Sequence, residues 1–143
     1  MHMESWIIWA LLAAIFAALT AIFGKIGVSG VHPDLATLIR TCVILGFAAL
    51  IVSAQGAFSG ISDISGRTWI FLVLSGLATG ASWLAYFRAL QLGQAAQVAP
   101  IDKLSVVLVA VFGVFFLGEK LSALNWAGVG LIALGALLVS LSA

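Results

Sequence analysis

Six Lys and Arg and five Asp and Glu cut this chain into long uncharged stretches that water cannot solvate. The stretches are residues 5–24, 41–62, 68–87, 89–101, 104–118 and 121–143. A helix that crosses a membrane needs about 20 mostly apolar residues, since each advances ~1.5 Å through a hydrocarbon core of ~30 Å. The first, second, third and last stretches meet that length alone. The stretch from Leu104 meets it only if its helix starts near Ala95 or Pro100, which puts Asp102 and Lys103 in its first turns. The apolar runs do not alternate with polar residues, which excludes a β-barrel.

Composition closes off other classes. Only 8% of residues are charged and 64% are hydrophobic, against about 25% charged in a soluble domain. Such a chain cannot cover a water-facing surface, and it is far too apolar for disorder. Net charge is +1, with scattered basic residues, so no nucleic-acid partner is expected. One cysteine, Cys42, permits no disulfide within the chain. The expected fold is therefore an all-α integral membrane protein, one domain over residues 1–143. Its five helices run over about 5–23, 34–54, 68–90, 96–117 and 122–141. The connections between them are short and rich in Gly, Ser and Gln. The N-terminal stretch has no basic leader, so the first helix reads as a retained span.

An odd helix count puts the two termini on opposite sides of the membrane. One side receives Arg67 and Lys120; the other receives Lys25 and Arg88, with Arg40 and Lys103 somewhat deeper. Orientation follows the Lys and Arg bias of short loops, and here there is almost none. Both insertions of the chain, a dual topology, are therefore expected, beside the plainer reading of one weakly preferred orientation.

Helices in lipid pack through small residues that let backbones approach. The first helix carries Ala10, Ala14 and Ala18, the third Gly76-x-x-x-Gly80, and the fifth Ala127, Gly130, Ala133 and Ala136. Most of these read as contacts within the chain, and the uncharged fifth helix reads as a subunit contact as well. Trp6, Trp69 and Trp126 lie near helix starts, as interfacial anchors do. Trp83, Tyr86 and Phe87 cluster near the end of the third helix, as a second aromatic belt or as the wall of a substrate cavity.

Arg67 and Arg88 bracket the third helix ~31 Å apart, matching a hydrocarbon core, so both suit the two interfaces. Arg40 sits ~9 Å into its helix if that helix starts at Asp34. A charge at that depth needs a partner or a watery cavity. Asp34 lies six residues back, a poor same-face partner, so the partner must come from another helix. Asp102 and Lys103 follow Pro100. If the helix begins at the proline, they are interfacial. If it begins near Ala95, the proline opens the backbone and carries both charges into the membrane, and a short, proline-interrupted apolar segment is a pointer to a transporter site. A face that is aromatic with a cationic rim suits a carboxylated or zwitterionic solute. The candidate substrate-binding residues are thus Arg40, Trp83, Tyr86, Phe87, Arg88, Asp102 and Lys103. Two histidines and one cysteine make no metal site of usual size. With no phosphate loop and no catalytic constellation, neither cofactor nor enzymatic activity is expected.

The order of motifs resembles a known family. Arg88-Ala-Leu-Gln-Leu-Gly is followed by Ala99-Pro100-Ile-Asp-Lys and Phe115-Phe-Leu-Gly-Glu119-Lys. Asn125-Trp-Ala-Gly128-Val-Gly130-Leu-Ile-Ala-Leu-Gly135 comes next. Together with His32-Pro33-Asp34 leading to Arg40, this series resembles an EamA-type domain of the drug/metabolite transporter superfamily. The resemblance implies a multi-pass protein of the bacterial inner membrane that exports small metabolites. It also implies one half of an inverted-repeat transporter, paired with an inverted copy as an antiparallel homodimer. The buried glutamate that small multidrug resistance proteins carry in their first helix is missing here, where Glu4 is marginal. Half of a heterodimer and a non-transporting membrane subunit stand as alternatives.

Overall fold

Where each helix starts and stops follows from its capping chemistry. In the computed structural model, which describes residues 3–141, the first helix, α1, is Met3–Gly27. The side chains of residues 3–5, Glu4 among them, lie outside what is described. The second helix, α2 (Pro33–Ala54), opens on Pro33 in its first turn, with His32 Nδ1 accepting from the Asp34 N–H at 3.3 Å. That cap satisfies a donor the first turn would leave orphaned. The third, α3 (Gly66–Leu92), starts where Ser65 Oγ accepts from the Thr68 N–H at 3.2 Å. A 3-10 helix at Ala57–Asp63 occupies part of the connection expected to be a plain turn.

The fourth expected span is one apolar stretch, Ala95–Leu117, long enough to cross a membrane. It is built from two helices, α4 (Ala95–Asp102) and α5 (Ser105–Leu117). Its helix starts at Ala95, so Pro100 is interior. Proline has no N–H to donate back one turn, and its ring crowds the carbonyl there. Beyond it the backbone tightens: Lys103 N–H reaches Pro100 O at 3.1 Å and Leu104 N–H reaches Ile101 O at 3.0 Å. Asp102 and Lys103 therefore sit at a break within the span. α5 stops at Gly118, whose φ of +70° suits a glycine. The last helix, α6 (Ala123–Leu141), begins with Ser122 Oγ accepting from the Asn125 N–H at 3.2 Å.

The described chain thus has five helical stretches long and apolar enough to span a bilayer. Their outer faces carry Trp9, Leu45, Phe71, Phe115 and Leu131, all exposed. A bilayer tolerates such a surface, and helices satisfy their own backbone groups inside it.

Packing divides the chain into two units. One covers residues 24–91. Its core is Val28, Phe87 and Leu90, each almost fully buried. Gly24 permits this core, since a Cβ there would stand 3.3 Å from Phe87 Cζ and 3.5 Å from Leu90 Cδ1. The other unit joins residues up to Phe23 with those from Leu92 onward, and in it α4 and α5 pack on α6.

Candidate functional site

Within the unit of residues 24–91, α2 and α3 bring a cation onto an aromatic face. Trp83 and Phe87 are four residues apart on α3 and so share a face. The Arg40 guanidinium carbon lies 4.4 Å from the Trp83 ring centre and 5.0 Å from that of Phe87. Tyr86 stands edge-on to Phe87, ring centres 6.5 Å apart. A guanidinium over aromatic faces is stabilised by their quadrupoles. It still has hydrogen-bond donors to satisfy, and Arg40 Nη1 is buried with no hydrogen-bond partner. Arg40 lies seven residues into α2, ~10 Å along its axis.

The other expected arginine is occupied. Arg88 binds Asp34 through two parallel hydrogen bonds, Nε to Oδ1 at 3.2 Å and Nη2 to Oδ2 at 2.8 Å. This fork joins the start of α2 to the end of α3, a partnership that the spacing of Arg88 from Arg67 did not indicate. Lys25 Nζ donates to Leu90 O, and Gln91 Nε2 donates to Val31 O at 3.2 Å. Four polar side chains, Asp34, Arg88, Lys25 and Gln91, thus lace this end of the unit. Sequence spacing correctly separated Asp34 from Arg40. It missed the Asp34–Arg88 pair, whose partners lie 54 residues apart, and it missed Gln91 altogether. No local signal announces such contacts.

In the other unit, Lys103 Nζ stands 3.1 Å from Asp102 Oδ2. Both lie at the break between α4 and α5. Among the described residues no three His, Cys, Asp or Glu side chains come together as a metal site.

The model of the EamA-like transporter family matches residues 4–141. The chain belongs to the EamA-like transporter family. An uncharacterized transporter in the cobO 3' region of Sinorhizobium sp is 66% identical over 137 residues, which are 96% of this chain and 97% of that one. The uncharacterized transporter YxxF of Bacillus subtilis (strain 168) is 30% identical over 93% of this chain, which spans 42% of its length. The probable 4-amino-4-deoxy-L-arabinose-phosphoundecaprenol flippase subunit ArnE of Hamiltonella defensa is 28% identical over 71% of this chain and 92% of its own. No solved structure matches the chain. As an EamA protein it is a multi-pass membrane protein with transport as its family function.

Proposed function

We propose that this chain moves a small organic solute bearing a carboxylate, as an acid or a zwitterion, across the bacterial inner membrane, and that Arg40 holds it. The observation that carries this is the buried Nη1 of Arg40 without a hydrogen-bond partner. A charged donor left unsatisfied in a low-dielectric place is costly. The rings of Trp83 and Phe87 stabilise the charge but accept no ordinary hydrogen bond from it. A carboxylate would do so, while its apolar body stacked on Trp83 and Tyr86, beside the buried Phe87. Arg88 contributes the rim, held in place by Asp34. Asp102 and Lys103, in the other unit, are a second charged station. Their proline-broken span is the kind of interrupted segment that lines transporter sites.

We infer further that residues 1–143 form one five-helix domain that works as half of an antiparallel pair. Transporter sites of this architecture lie between inverted repeats. The near-even Lys and Arg distribution of this chain permits insertion both ways up. Gly128 and Gly135, seven residues apart and so on one face of α6, have no atom within 4 Å of where a Cβ would stand, which leaves that face for a neighbour. A second reading, half of a heterodimer, is favoured by the likeness to ArnE, whose name calls it a flippase subunit.

The test is uptake and efflux of a panel of amino acids, monocarboxylates and organic cations by proteoliposomes holding the purified chain. Transport of a carboxylate that Arg40→Gln abolishes supports the reading. Transport confined to organic cations, or left intact by Arg40→Gln, refutes it.

A further inference from the structure

Every hydroxyl of α3 falls on one of its faces. They are Thr68, Ser75, Thr79, Ser82 and Tyr86. No other membrane-length stretch of the chain holds more than three. At about 100° of rotation per residue, the five lie within about 60° of one another. Val73, Leu77 and Leu84 occupy the opposite side, all of them exposed apolar side chains suited to lipid. Eighteen residues separate Thr68 from Tyr86, which is ~27 Å of helix. The hydroxyl stripe therefore runs most of the depth of a ~30 Å hydrocarbon core.

The stripe lies within the unit of residues 24–91. One end is the cap at the start of α3, where the Ser65 and Thr68 hydroxyls stand 2.8 Å apart. The other end, Tyr86, belongs to the aromatic group on which Arg40 lies, edge-on to Phe87. Between them, Thr79 Oγ1 donates to Ser75 O at 2.8 Å. That bond uses its proton and leaves its lone pairs free to accept. The Ser75 and Ser82 hydroxyls make no hydrogen bond among the described residues. Ser75, Thr79 and Ser82 are all exposed.

A hydroxyl turned to hydrocarbon without a partner is costly, so polar side chains inside a membrane face other helices or water. A helix contact covers too little of this stripe. Helices that cross at ~20–50° touch over a few turns around the crossing point. The stripe persists for about five turns and ends in the bulky Tyr86 beside Arg40. A column of neutral hydroxyls through the core gives a solute what liquid water gives it: donors and acceptors at successive turns, with no charge to trap it.

We propose that the hydroxyl face of α3 lines a wetted passage from the Arg40 site to the opposite side of the membrane, along which a polar solute exchanges water for hydroxyls. The passage rests on the reading of this chain as a carrier of a polar solute, yet its wetness is measurable with no solute present. The test uses the full chain in proteoliposomes, in a Cys42→Ser background. Ser75→Cys, Thr79→Cys and Ser82→Cys are compared with Val73→Cys, Leu77→Cys and Leu84→Cys for reaction with a charged, membrane-impermeant methanethiosulfonate. Gel filtration checks that each variant is folded. A thiol reacts as its thiolate, a form that apolar surroundings suppress. The hydroxyl-face cysteines should react at least about tenfold faster, as expected where lipid suppresses ionisation by that factor. Leu77 lies between Ser75 and Thr79 along the helix, so depth alone cannot produce the difference. Equal reaction on both faces, or reaction on neither, overturns the proposal. So does oxidative coupling of Thr79→Cys chains into covalent dimers without methanethiosulfonate reaction, which would assign the stripe to a contact between copies. Fast reaction of the hydroxyl face combined with transport untouched by Arg40→Gln keeps the passage and discards the Arg40 site. Slow reaction combined with loss of transport in Arg40→Gln does the reverse.

Discussion

Replacing Arg40 by methionine separates a binding arginine from a structural one. The substitution keeps an unbranched side chain against Trp83 and Phe87 and removes the charge. Lost with it are two ring contacts at 4.4 and 5.0 Å, together worth about 1–2 kcal/mol where partly desolvated. Relieved with it is the buried Nη1 that lacks a hydrogen-bond partner, a penalty of about 1–3 kcal/mol. The two nearly cancel, so folding stability should change little or rise slightly. At about 2–4 °C per kcal/mol for a chain of this size, the thermal midpoint in detergent should stay within about 5 °C of the parent. Substrate binding should behave differently. A charge-assisted hydrogen bond to a carboxylate is worth about 1.5–3 kcal/mol, or roughly ten- to a hundredfold in apparent affinity. Initial-rate uptake in proteoliposomes, with the midpoint measured on the same preparation, reads both quantities. A midpoint lowered by more than about 10 °C with unchanged uptake would refute the reasoning, because Arg40 would then hold the helices together and not the solute.

Further expectations follow from other parts of the chain. Lys103→Ala should abolish transport while the protein still inserts, and Arg67→Ala should leave transport largely intact; equal loss in both would dissolve the site assignment. Pro100→Ala restores an N–H able to donate back toward Ala96 and should raise the thermal midpoint while slowing transport; unchanged transport would deny the break between α4 and α5 a role. Gly118→Ala should destabilise the chain by about 1–2 kcal/mol, since the +70° φ there is strained for any residue with a Cβ, and a denaturation midpoint equal to the parent's would contradict it. A cysteine placed at Ser142, in a Cys42→Ser background, should be labelled from both sides of intact cells; labelling from one side alone would rule out dual insertion.

The number of spans and their apolar character were legible in the sequence by itself. Charges punctuate the chain, and a bilayer leaves a long uncharged stretch no state other than a self-satisfied helix. Boundaries were legible within a few residues wherever a cap marks them, as at His32-Pro33 and Gly118. Arg40 was recognisable as anomalous from depth alone, because its cost depends on distance along a helix and not on what surrounds it. Where the fourth helix begins was open between Ala95 and Pro100, since proline is compatible with a first turn and with a kink alike. The folded backbone decided for Ala95. The partners of the charges were likewise decided only in three dimensions. Asp34 finds Arg88 and Lys25 finds Leu90 O, and Arg40 lies over Trp83 and Phe87. Each of these contacts joins residues far apart in the chain. Helical periodicity tells which residues share a face of one helix; it carries no record of which face another helix will meet, and that meeting is where the charges acquire their roles.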